Sequence, residues 1–79
     1  MIIKKCYKLQ PKDIVLVQFI IEGYEGMATV TTLDSRKAII QIAIMPHYLQ
    51  EISDILEDLK YKYNIEEITD GPMFEKNAR

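Results

Sequence analysis

The segment Pro11-Lys12-Asp13-Ile14-Val15-Leu16-Val17-Gln18-Phe19-Ile20-Ile21-Glu22-Gly23-Tyr24-Glu25 decides the fold, because composition and position pull it in different directions. Ile14, Val15, Val17, Ile20 and Ile21 are β-branched and favour a strand on propensity. Position favours a helix. Gln18, Glu22 and Glu25 are spaced four and three apart, which makes one polar stripe on a helical surface. On a strand, Gln18 and Glu22 would share a face with Leu16 and Ile20, and Glu25 would sit opposite. Pro11 at the start, Asp13 in the first turn and Gly26 beyond the end match the proline-first, glycine-last habit of helices. Residues 11–25 are therefore read as a helix, with a strand as the alternative. The helix has a wide apolar surface of Ile14, Leu16, Val17, Phe19, Ile20, Ile21 and Tyr24.

On either side the pattern is plainer. Residues 2–9 alternate loosely, Ile3, Lys5, Tyr7 and Leu9 against Ile2, Lys4, Cys6 and Lys8, as a strand with one wetter face does. Met27–Leu33 and Ala38–Met45 read as two strands joined by the polar connection Asp34-Ser35-Arg36-Lys37. The second has almost no polarity on either face, so a central place in the sheet is expected. From Pro46 to Tyr63, Leu49, Ile52, Leu56, Leu59 and Tyr63 recur at helical spacing, while Gln50, Glu51, Asp54, Glu57, Asp58 and Lys60 face out. Asn64 is suited to a left-handed helix stop. Ile65–Ile68 is a short last strand.

This order is strand, helix, strand, strand, helix, strand, the split βαβ pattern of ferredoxin-like α+β folds. Right-handed crossovers predict an antiparallel-type four-stranded sheet of order 4-1-3-2 with both helices on one face. Charge agrees with it. Residues 1–13 carry four lysines and one aspartate, and residues 50–70 carry seven acids and two lysines. The predicted order sets Glu66 and Glu67 beside Lys4, Lys5 and Lys8, where opposite charges contribute about 0.2–1 kcal/mol per pair. The domain is expected to span residues 1–70, with a loose C-terminal tail over 71–79 opened by Gly71-Pro72.

Length and composition bound the function without defining it. The chain has 79 residues, 48% of them hydrophobic and 28% charged, enough for one domain. The formal net charge of −2 opposes a nucleic-acid binder that works by neutralising phosphates. The apolar run Ile14–Ile21, broken by Gln18, is too short to cross a bilayer, and no signal-peptide pattern opens the chain. One cysteine makes no internal disulfide, which fits a cytoplasmic protein. So small a domain is marginal alone, and with disulfide and metal staples missing, a homodimer is expected.

The run Glu22-Gly23-Tyr24-Glu25-Gly26, followed by Thr32-Leu33-Asp34, resembles the hallmark of a bacterial family, domain of unknown function 4911, from the first strand to the last. The resemblance implies a small stand-alone α/β protein and supplies no activity. The hallmark also has a structural explanation. Gly26 takes a positive φ at the helix stop, Gly23 lets helix and sheet approach closely, Tyr24 covers the core and Asp34 starts a turn.

Ferredoxin-like domains host unrelated activities, so each is argued from its own residues. Metal carriers need two cysteines after the first strand, and Cys6 is single and lies within it, so it reads as a small buried hydrophobe. RNA binders stack bases on aromatics of the central strands, where Tyr7 is the one candidate. Phosphate-cradling members need an arginine after the first strand, where the loop supplies Lys12. Regulatory amino-acid-binding domains of the ACT type share the topology and hold ligands near the first strand-to-helix loop, although no glycine follows Pro11 as theirs does. Their ligand residues do not transfer to this sequence, and the candidate ligand residues in that loop are Gln10, Lys12 and Asp13. His47, Glu22, Glu25 and Tyr24 are the titratable groups worth checking for catalysis, with no catalytic set, metal site or cofactor assigned. The expected function is non-enzymatic: a small dimeric domain binding a small molecule in an ACT-like manner, or alternatively a protein-interaction module. The dimer contact is expected on the open sheet face, formed by Ile39, Gln41 and Ala43 or by the Ile40 set, or along the uncharged edge strand Met27–Leu33.

Overall fold

Ile40, Ile42 and Ile44 are fully buried, whereas Ile39, Gln41 and Ala43 alternate with them at half burial. That single strand sets the layering, because its isoleucine row must face both helices and the opposite row must face away. The computed structural model describes residues 2–68. The expected tail over 71–79 and the domain end at 70 lie outside the described residues.

The elements are β1 (Ile3–Lys8), a short 3₁₀ turn (Pro11–Asp13), α1 (Ile14–Glu22), β2 (Ala28–Asp34), β3 (Ile39–Ile44), a second 3₁₀ turn (Pro46–Tyr48), α2 (Leu49–Lys62) and β4 (Glu66–Ile68). The four strands form one sheet of order β2-β3-β1-β4, every neighbouring pair antiparallel. This is the expected 4-1-3-2 order read from the other edge, with the α+β element order also as expected. Val17 and Ile21 of α1 and Ile52, Leu56 and Leu59 of α2 join Tyr7, Val30, Ile40, Ile42 and Ile44 in one core. Both helices therefore cover the same sheet face. The molecule is a slab of 32 × 31 × 17 Å, and among the described residues no helix lies on the other face.

Cross-strand register names the rows of that bare face. Thr31, Gln41, Cys6 and Ile68 lie abreast, with Thr29, Ala43 and Lys4 at one side and Ile39, Lys8 and Glu66 at the other. Cys6 is buried within its row and its thiol pKa is raised by that burial. Among the expected acid–lysine pairs, Lys8 stands opposite Glu66, while Glu67 stands opposite Tyr7 on the helix side.

The decisive segment is helical, but shorter than expected. Pro11 opens a 3₁₀ turn closed by the Asp13 N–H on the Gln10 carbonyl at 2.9 Å, and α1 proper stops at Glu22. Gly23, not Gly26, is the stop: its N–H bonds the Phe19 and Ile20 carbonyls at 3.0 and 3.3 Å. Glu25 consequently lies in the turn after the helix, and the polar stripe ends with the Gln18–Glu22 pair at 3.5 Å. A Cβ at Gly23 would meet the Ile20 and Phe19 carbonyl oxygens at 3.3 and 3.4 Å. Its close approach is to its own helix end, correcting the expected approach to the sheet. Gly26, at φ 81°, turns the chain into β2, a conformation that favours glycine.

Two further turns differ from expectation. Tyr63, extended at φ −130° and ψ 154°, ends α2, and Asn64 is not left-handed. In the β2–β3 hairpin the left-handed residue is Ala38 at φ 57°, fully buried. Asp34 does start that turn, accepting the Lys37 N–H on Oδ1 at 3.0 Å.

Candidate functional site

The C-terminal end of β1 and the N-terminal end of β4 are adjacent because the two strands pair antiparallel. The loops attached to them must therefore meet. One is the β1–α1 turn, held at its root by the Leu9 N–H on the Ala38 carbonyl at 3.0 Å. The other follows α2, where the Tyr63 N–H bonds the Leu59 carbonyl and the Ile65 N–H bonds the Tyr63 carbonyl, each at 2.8 Å.

Between them lies a cleft of about 420 Å³ lined by Gln10, Lys12, Asp13, Lys62, Tyr63 and Asn64. All three ligand candidates of the β1–α1 loop are thus brought into one cavity wall. The cleft joins two ammonium groups, one carboxylate, two amides and a phenol. Lys62 also reaches Asp58 at 3.4 Å, an exposed pair that leaves its ammonium accessible. The set can hold a small molecule bearing both an anionic group and a hydrogen-bond donor. It contains no nucleophile with an adjacent base.

Lys62, Tyr63 and Asn64 escaped the sequence reading, which followed only the loop after the first strand. The signal was present in the predicted strand order, since β4 beside β1 places the residues just before β4 at this same end.

The hallmark residues form no single site. Glu22 Oε2 accepts the Val30 N–H at 3.3 Å and so ties α1 to β2. Gly23 and Gly26 shape the turn that follows, Glu25 is exposed in it, and Tyr24 lines a groove between the helices that shares Lys62 and Tyr63 with the cleft. Thr32, Leu33 and Asp34 lie at the far end of β2, where the register to β3 shifts between Thr32 and Asp34. Glu22 and Glu25 do not converge, and His47 is exposed in the 3₁₀ turn that precedes α2. Among the described residues no group of three or more histidine, cysteine or acidic side chains could hold a metal ion, and no helix is long and apolar enough to cross a membrane.

The sequence model of the family described as "Domain of unknown function (DUF4911)" matches residues 7–62, from within β1 to the end of α2. No curated protein and no solved structure matches the chain.

Proposed function

The chain belongs to the DUF4911 family, which supplies no activity, and from the cleft at the β1–α1 turn we propose a non-enzymatic, homodimeric binder of a small polar molecule. The likeness is to ACT regulatory domains, which commonly bind small ligands at a dimer interface near the first strand-to-helix loop. The observation that carries the reading is convergence: Gln10, Lys12 and Asp13 line one cleft with Lys62, Tyr63 and Asn64, from loops half a chain apart. A carboxylate would sit between the Lys12 and Lys62 ammonium groups, and Asp13 would accept from a donor on the same molecule. Amino acids and similar zwitterions meet this requirement.

Association is assigned to the bare sheet face. Its β2 and β3 rows, Thr29 and Thr31 beside Gln41 and Ala43, carry no charge, and Cys6 is already buried among them. The edge of β2 is the weaker route, because Glu22 occupies the Val30 N–H there. A reducing, cytoplasmic setting accords with the free, buried Cys6.

Two measurements test the reading. Titrating ¹⁵N-labelled protein with a panel of amino acids should shift the amides of Gln10, Lys12, Asp13 and Asn64, and Lys12→Ala should abolish the shift. Native mass spectrometry at micromolar concentration should give a dimer. A monomer, or a panel that leaves those amides unmoved, defeats the proposal.

A further inference from the structure

The polar cleft does not end at Lys62 and Tyr63. The same two residues also line a second concavity of about 390 Å³ between α1 and α2, together with Ile20, Tyr24, Ile55 and Leu59. α2 ends at the cleft, and the groove follows it back towards its middle. Leu59 stands three residues before Lys62, about 4.5 Å along the helix axis, and Ile55 seven before it, about 10 Å. Ile20 comes from α1, which starts at the cleft, and helical side chains tilt towards their N-terminus, here towards the cleft.

The two parts differ in chemistry. Beyond the shared wall the cleft is built of Gln10, Lys12, Asp13 and Asn64, all polar. The groove has an apolar wall: Leu59 is buried in the core, and Ile20, Ile55 and Tyr63 are half-buried against it. Side chains packed in this way are held by their neighbours, so the wall is formed before any ligand arrives. Two carboxylates also line the groove. Asp58 is paired with Lys62 at 3.4 Å. Asp54, which accepts from Gln50 Nε2 at 2.9 Å, stands eight residues before Lys62, about 12 Å along the axis and at the far end. An acidic group in the groove would meet these carboxylates as like charges, and a basic one would compete with Lys62 for Asp58. An apolar group incurs neither cost.

We infer that cleft and groove form one two-part site, in which the cleft holds the charged head of an α-amino acid and the groove takes a large apolar side chain. Lys62 and Tyr63 are the seam, and Ile20, Leu59 and the Tyr63 ring set specificity. The ligand class narrows to aromatic and long aliphatic amino acids. This rests on the zwitterion reading of the cleft and adds the selection among zwitterions.

Calorimetric titration with L-phenylalanine, L-alanine and L-glutamate, read beside amide shifts of ¹⁵N-labelled protein, tests it, because all three offer the same charged head. Phenylalanine should bind about tenfold tighter than alanine or glutamate, as a filled apolar subsite gives. It alone should shift the amides of Ile20 and Leu59 along with those of Gln10, Lys12, Asp13 and Asn64. Ile20→Ala should weaken phenylalanine several-fold and leave alanine unchanged, a difference that a general loss of structure does not produce. Alanine or glutamate binding as tightly as phenylalanine, with the cleft amides still shifting, overturns the two-part site and leaves the cleft reading standing. Shifts from phenylalanine confined to the groove also overturn it. Cleft amides unmoved by all three overturn both readings.

Discussion

The carboxylate of Glu22 and the backbone N–H of Val30 meet at 3.3 Å, joining the last turn of α1 to the outermost strand of the sheet. An edge strand presents unpaired N–H groups to solvent and to other chains, and an acidic side chain laid over one of them blocks strand addition at that point. The first residue of the family hallmark thus has a structural task. Glu22→Ala should cost about 1 kcal/mol, the net worth of a hydrogen bond to a charged acceptor at a partly solvated site. It should also raise self-association, read by sedimentation velocity at increasing concentration. Glu22→Gln, which keeps an acceptor oxygen, should recover much of the stability; equal losses for both variants would put the effect in the carboxylate charge, and no loss from Glu22→Ala would mean that the contact contributes nothing.

Ala38 carries a second constraint of this kind. It is fully buried at φ 57°, and its carbonyl accepts the Leu9 N–H at 3.0 Å, fastening the hairpin to the root of the β1–α1 turn. An L-residue in the left-handed region costs roughly 1 kcal/mol, which glycine avoids in the fold but gives back in unfolded-chain entropy. Ala38→Gly should therefore change stability by less than about 1 kcal/mol. Ala38→Val adds a β-branch where both backbone and packing refuse it, and should cost about 2 kcal/mol or more. Urea denaturation of the two variants decides the point, and a Val variant as stable as the Gly variant would refute it.

At the start of the same turn, Asp34 Oδ1 holds the Lys37 N–H at 3.0 Å at an exposed site. Asp34→Ala should cost about 0.5–1 kcal/mol, as loss of a side-chain turn bond does. Asp34→Asn, which offers the same oxygen, should be nearly neutral. Thermal melts of both would show it, and an Asn variant as weak as the Ala variant would put the effect in charge rather than in the turn.

How far the sequence could be read follows from which interactions are local. The isoleucine alternation of β3 and the leucine spacing of α2 are periodic signals, and both elements stand where those signals put them. The end of α1 was harder, because Gly23 and Gly26 stand three apart and either can stop a helix. Only the hydrogen bonds of the Gly23 N–H, and the positive φ of Gly26, divide the work between them. The β1–α1 half of the cleft was legible from the loop's own polar residues. The other half follows from β4 lying against β1, a pairing that the predicted strand order contained but that the polar residues of the loop do not themselves encode.

Tyr7 sets the response to alkali. It is 2% exposed in the core, and burial raises its phenol pKa well above the ordinary range, with the Glu67 and Glu57 charges adding to the shift. In the unfolded chain the phenol loses its proton near pH 10, whereas in the fold it keeps it. The stabilising difference is fully present below that pH and is lost as pH rises towards the folded value, because ionisation is available only to the unfolded state. The buried Cys6 thiol, raised by the same desolvation, acts in the same direction from about pH 8.5. Stability should fall above pH 10 with a slope approaching about 1.4 kcal/mol per pH unit from Tyr7 alone. Tyr7→Phe preserves the ring in the core, should fold normally at pH 8, and should remove that part of the slope. Urea midpoints of the two proteins between pH 8 and 11 make the comparison. Parallel curves would show that the Tyr7 phenol ionises as easily in the fold as outside it.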